Sequence, residues 1–272
     1  MALQLENETD AKLGTRLLVM EDLQQEYIFV NVPEVPVPSL LRDYSAPVKV
    51  FYDYSPGQLA TLIASDSDAY VRWDAAQRMA QDAILEQCRR HANGLEMRLD
   101  ASLRKAFNGI LCDQVADPAL LAEAMILPDE DYLAEQMEVV DVDGIHAARK
   151  FIKKGLASEL KDLFAKRYAE LNDGLPYRKS SEAMARRALK NVCLSYLLET
   201  GGGESLAAAQ LGSSDNMTDT LAAIKGLALV GSPIADKALS EFETRWGEDA
   251  LVMDKWFAMQ AIIPGPETVN KV

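Results

Sequence analysis

The stretch Val71–Arg90 reads VRWDAAQRMAQDAILEQCRR, and its spacing decides the fold. Val71, Ala75, Ala76, Met79, Ala83, Ile84 and Cys88 recur at intervals that place them on one stripe of an α-helix. The same period runs through Ala147–Leu171, where Phe151, Ile152, Leu156, Leu160, Leu163, Phe164, Tyr168 and Leu171 form the stripe. Over Met184–Leu198 the stripe is Met184, Ala188, Val192, Leu194, Tyr196 and Leu197, which is broader and predicts deeper burial. A further patterned helix is expected over about 249–262.

The punctuation between these segments is helical too. Ser55-Pro56, Asp117-Pro118 and Ser232-Pro233 each set a capping side chain before a proline at the first helical position. Asp100 and Ser181 are further cap candidates, while Gly94, Gly174 and Gly201 mark expected helix ends. About ten helices of unequal length, without strict repeats, predict a mainly α chain: an irregular α-solenoid of ARM/HEAT type over residues 51–272. Residues 1–50 differ. Arg16–Met20 and Gln25–Val32 read as strands around a polar turn at Glu21–Gln24, and Ser45–Phe51 is read as one more. Pro33, Pro36 and Pro38 restrict 33–39 to an edge or irregular segment. Three or four such strands make only part of a β-sandwich, whose usual number is nearer seven. At the other end, Trp256, Phe257, Met259, Ile262 and Ile263 form an apolar finish where a solenoid is expected to turn polar. The chain therefore reads as incomplete at both ends.

Composition bounds the function. The net charge is −14, which disfavours nucleic acid and anionic membranes as partners. Three cysteines in apolar helical contexts fit reduced thiols and a cytoplasmic location. No apolar run is long enough to span a bilayer, and no basic-then-apolar leader opens the sequence.

Motifs that carry chemistry are scarce. The two histidines, His91 in CRRHANG and His146 in DGIHAAR, do not form an H-E-x-x-H. Cys88, His91 and Cys112 do not match a known zinc spacing. Asp141-Val-Asp-Gly lacks the closing Glu of a calcium loop, with Ile152 in that place, and reads as an acidic helix start. Gly201-Gly202-Gly203 lacks the Lys-Ser/Thr of a phosphate loop and reads as an interhelical turn. Trp73 and Trp256 are taken as packing residues, and the acidic stretch Asp129–Asp143 as a solvated face. No catalytic or metal-binding residue is assigned, no substrate-binding residue is identified, and no cofactor is expected in this chain.

Four patches carry a family resemblance: Val35–Val50 (VPVPSLLRDYSAPVKV), Arg72–Gln77 (RWDAAQ), Asp215–Leu221 (DNMTDTL) and Leu251–Phe257 (LVMDKWF). In order and spacing they are similar to the C-terminal region of the bacterial M1 zinc aminopeptidases, the alanyl aminopeptidase or aminopeptidase N group. The resemblance implies the end of a small Ig-like sandwich (1–50) followed by the first part of a helical domain (51–272). It implies a parent metalloprotease that releases N-terminal amino acids from peptides, with its zinc elsewhere. Neither H-E-x-x-H nor G-x-M-E-N is present here, so the chain is expected to be inactive alone. Its expected role is to wall the substrate chamber, with the parent's catalytic and N-terminal domains as partners. The alternative is a free-standing α-solenoid that serves as a protein-interaction scaffold.

Overall fold

A computed structural model of the protein describes residues 2–5, 14–30, 32, 34–266 and 268–271. The chain divides into two compact units, residues 1–152 and 153–272.

The first unit opens with β1 (Ala2–Leu5), β2 (Arg16–Leu17) and β3 (Pro38–Leu40). They form an antiparallel sheet in the order β2-β1-β3, with Leu3 opposite both Arg16 and Leu40. Pro38 takes the first position of β3, where a missing backbone N–H is tolerated. Two expected strands are not formed. Gln25–Val30 is irregular, with Ile28 and Val30 exposed, and an extended segment without a partner has nothing to hold it. Asn31 and Pro33 lie outside the described residues. Ser45–Phe51 is also irregular, and the cause lies just upstream. Leu41, Asp43 and Tyr44 have φ of 55°, 54° and 50°, which turns the chain sharply after β3.

That turn is held by Arg42. Its Nη1 donates to Ser39 Oγ at 2.8 Å and Asp66 Oδ1 at 2.6 Å, and its Nη2 to Ser67 Oγ at 2.7 Å. The Asp43 N–H donates to Asp68 Oδ2 at 2.8 Å. Left-handed φ at three non-glycine residues costs energy, and it persists only where surrounding contacts over-determine it. Here the buried guanidinium supplies them.

The helices of this unit are α1 (Pro56–Ser65), α2 (Ala69–Ala92), α3 (Ala101–Cys112), α4 (Pro118–Met125) and α5 (Glu130–Ala134). They start where the caps predict. Ser55 forms a capping box with Gln58, Asp100 accepts from the Leu103 N–H, and Asp117 accepts from the Ala119 N–H. The whole expected stripe of α2 is buried, together with Ala80 and Gln87. α2 packs on α1 and α4, and α1 on α3.

α6 (Val142–Glu159) contains the boundary between the units. The second unit continues with α7 (Lys161–Leu171), α8 (Ser181–Leu198), α9 (Gly203–Ser213), α10 (Met217–Leu229), α11 (Pro233–Trp246), α12 (Ala250–Ala261) and α13 (Thr268–Lys271). The described residues thus hold thirteen α-helices, more than the ten or so expected. One reason is that Ala147–Leu171 is broken at Leu160, where φ −112° and ψ 18° leave the helical region. The N-cap of α8 is Ser180 rather than Ser181, accepting from the Ala183 N–H. In α8 Leu194, Tyr196 and Leu197 are buried as expected, while the first half differs from the expectation. Ala185, Leu189 and Cys193 are buried while Met184 is 57% exposed. α8 packs against α7, α9 and α10, so several sides of it are covered. Phe164 and Tyr196 stack at 4.5 Å in its interface with α7.

Candidate functional site

The DNMTDTL patch builds the start of α10 and the centre of a buried polar network. Asn216 is the N-cap, its Oδ1 accepting from the Asp219 N–H at 3.0 Å. Asp219 Oδ2 accepts from Lys190 Nζ at 2.7 Å, and Oδ1 from Asn191 Nδ2 at 2.9 Å. Gln210 Nε2 donates to Asn191 Oδ1 at 2.9 Å and to the Asp219 carbonyl at 3.0 Å. The Tyr168 hydroxyl donates to Gln210 Oε1 at 3.0 Å. Burial, with the Asp219 charge as a smaller cause, pushes the Tyr168 hydroxyl up to about 12, so it stays a proton donor at neutral pH. Every carboxylate oxygen of Asp219 is matched by a donor. This network joins α7, α8, α9 and α10.

Above it lies a pocket of about 550 Å³, roofed by the irregular segment 172–180. Gly174 supplies a left-handed φ of +64° where that segment turns. The Tyr177 N–H donates to Asp215 Oδ2 at 2.7 Å, and this bond, with the Asn216 side-chain amide, holds the Asp215 carboxyl below its usual range. Arg178 and Arg186 share Asp173 Oδ2 at 3.5 and 3.4 Å. The Arg187 guanidinium lies over the Tyr177 ring, 5.0 Å from its centroid, and its Nη1 donates to the Arg178 carbonyl at 3.3 Å. The Nε atoms of Arg186 and Arg187 are buried without a hydrogen-bond partner. Ser213 and Ser214, also in the lining, donate to the carbonyls of Ala209 at 2.9 Å and Gln210 at 2.6 Å. Their hydroxyls are engaged by backbone, with no imidazole beside them to activate a nucleophile.

The first unit carries a wider groove of about 850 Å³. Tyr44, Tyr70 and Trp73 line it in a chain of ring contacts, 5.2 and 5.8 Å between centroids. Trp73 thus contributes to a partly open aromatic wall instead of a sealed core. Trp256 is a packing residue, its Nε1 donating to the Leu239 carbonyl at 2.9 Å beside Phe242 and Met259.

The residues weighed for metal binding are dispersed. His91 is exposed at the end of α2, and His146 Nδ1 stands 2.9 Å from Glu130 Oε1 on an exposed face. Cys88 is buried against Asp141, Sγ to Oδ2 3.9 Å, while Cys112 is exposed. Among the described residues no three His, Cys, Asp or Glu side chains gather to hold a metal ion. These residues do not fit a catalytic zinc. Asp141 is a helix cap, its Oδ1 accepting from the Gly144 N–H at 2.8 Å. The glycine is required there: an added Cβ would stand 2.2 Å from Asp141 Oδ2 and 2.9 Å from Cys88 Sγ. Gly203, the last of the three consecutive glycines, is similarly constrained, because a Cβ would meet Leu198 N at 2.4 Å. The arginine pocket was not anticipated. Its signal was the cluster of cations within 177–187 (YRKSSEAMARR) in a chain of charge −14.

Comparison with known proteins identifies this architecture. A family model described as "Domain of unknown function (DUF3458_C) ARM repeats" matches residues 56–272, and "Domain of unknown function (DUF3458) Ig-like fold" matches residues 1–53. Aminopeptidase N of Escherichia coli (strain K12) is 35% identical over 258 residues, 94% of this chain and 30% of that protein. Aminopeptidase N of Haemophilus influenzae is 35% identical over 257 residues, 94% of this chain and 29% of that protein. The chain therefore spans about 30% of the length of the curated relatives it matches. Among solved structures, Legionella pneumophila aminopeptidase A in complex with aspartic acid superimposes with a TM-score of 0.84 and 27% identity. The match covers 99% of this chain and 33% of that one. The chain belongs to the DUF3458_C ARM-repeat family, is preceded within its own first 53 residues by an Ig-like DUF3458 segment, and is homologous to a region of the bacterial aminopeptidases N.

Proposed function

We propose that this chain is a non-catalytic region of an M1 zinc metalloaminopeptidase, and that it helps to wall the chamber in which peptides are held. The observation that carries the reading is homology along nearly the whole chain to less than a third of aminopeptidase N. In this reading residues 1–50 are the last strands of an Ig-like sandwich and 51–272 the helical domain. The zinc, the amine-binding residues and the remaining domains are supplied by the rest of the enzyme, in the cytoplasm. Exposed apolar side chains support the reading, because a region that packs on other domains carries such surface. Tyr44, Val48 and Phe51 in the first unit, and Leu251 and Phe257 on α12, are of this kind. Among the described residues no helix is long and apolar enough to cross a membrane.

The test is hydrolysis of an alanyl-amide chromogenic substrate by the purified chain with zinc supplied, alone and with the complementary portion of E. coli aminopeptidase N. No turnover alone, and co-purification with gain of activity on mixing, is the expected result. Turnover by the chain alone that survives repurification would overturn the reading and make His91 and His146 the first suspects. Failure to associate would favour a free-standing scaffold.

A further inference from the structure

We propose that the pocket beneath segment 172–180 binds the carboxylate end of a peptide, with Arg187 as its charged anchor. The inference is independent of the chamber-wall reading, since it rests on the pocket alone. Three of the four cations in the lining are already matched: Arg178 and Arg186 share Asp173, and Lys190 pairs with Asp219. Arg187 is different. Among the described residues it forms no ion pair; its charge acts on the Asp215 carboxyl only from beyond ion-pair distance, and its one hydrogen bond goes to the Arg178 carbonyl. The Tyr177 ring, its centroid 5.0 Å from the guanidinium carbon, and the Arg178 carbonyl restrain the side chain before any ligand arrives. In a protein of charge −14, a cation left over in a concave site is a local departure from the general field.

Charge balance selects the ligand class. Arg178, Arg186, Arg187 and Lys190 face Asp173, Asp215 and Asp219, a surplus of one positive charge. A singly charged carboxylate neutralises it, whereas a phosphate near −2 would overshoot beside Asp173 and Asp215. A planar carboxylate also matches the guanidinium fork. The pocket volume is in the range that holds a short peptide end. Asn172 in the lining offers a side-chain amide to the peptide backbone.

The test compares N-acetyl-alanyl-alanine with its C-terminal amide by calorimetric titration of the full chain, with inorganic phosphate as a third probe. Saturable binding of the acid, at least about tenfold tighter than the amide, is expected. Arg187→Gln should weaken the acid by about tenfold or more and leave the amide unchanged, while Arg187→Lys should fall between, keeping charge without the fork. Acid and amide binding alike, or no saturable binding of either, would overturn the proposal without recourse to any variant. So would Arg187→Gln binding the acid as the wild type does, if the variant melts as the parent does. Tighter binding of phosphate than of the peptide acid would also overturn it, by assigning the pocket to a free oxyanion.

Discussion

Lys190 Nζ lies 2.7 Å from Asp219 Oδ2, and the two side chains are only 8% and 7% exposed. This pair ties α8 to the start of α10, and Asn191 and Asn216 satisfy what remains of the carboxylate. Burying two charges is expensive, and only close geometry with further hydrogen bonds offsets it. Removing one partner leaves the other stranded in the interior. Lys190→Met is therefore expected to destabilise the chain by about 3–5 kcal/mol, and Asp219→Leu by a similar amount. The double variant should lose clearly less than the sum of the two. Urea unfolding of the four proteins measures this; additive losses would show that the pair is not coupled.

The three cysteines are predicted to differ in reactivity. Burial pushes the Cys193 thiol up to about 12, with Arg167 opposing only in part. Burial also raises Cys88, and the neighbouring Asp141 carboxylate adds to it. Cys112 is exposed at the end of α3. Since the thiolate is the reacting species, a colorimetric disulfide reagent at neutral pH should titrate one thiol in the native chain and all three after unfolding. Rapid native reaction of a second thiol, or retention of it in Cys112→Ser, would contradict the burial of Cys88 and Cys193.

Much of the fold was legible because helix signals are local. The three serine- or aspartate-capped prolines start helices, and the α2 stripe is buried as its spacing implies. What failed depends on partners. Gln25–Val30 has strand-forming residues, yet a strand exists only by pairing, and β1 pairs instead with Arg16–Leu17 and Pro38–Leu40. The phase of the first half of α8 failed for a related reason. It is surrounded by three helices, so Met184 and Ala185 have similar apolar character and only the packing chooses between them. The site is less legible still. Asp215–Leu221 was recognisable as a helix start, but Lys190 and Gln210 reach Asp219 from two other helices, and Tyr168 of a third supports Gln210. Arg187 acquires its meaning from Tyr177 across a loop, a relation that no helical period encodes.

Arg72, in the RWDAAQ patch, links three elements of the first unit. Its Nε donates to the Ile63 carbonyl at 2.9 Å and its Nη2 to Asp113 Oδ2 at 2.8 Å. Asp113 is the C-cap of α3, and its Oδ1 accepts from the N–H groups of Val115 and Ala116, both at 2.9 Å. Burial alone would raise its carboxyl; the Ala116 N–H, Arg72 and the Val115 N–H outweigh it and hold the carboxyl below its usual range. A depressed folded-state value means that the ionised group stabilises the fold above the unfolded value of about 3.9, and that this contribution is lost as pH falls through the folded value. Asp113→Asn keeps an acceptor oxygen but removes the charge. It should therefore be less stable than the parent at pH 7, with the difference shrinking as the pH is lowered below about 4. Urea unfolding at pH 7, 5 and 3 follows the gap directly. A gap that stays constant into acid would mean that the charge of Asp113 contributes nothing, and that Arg72 holds α1, α2 and α3 together through geometry alone.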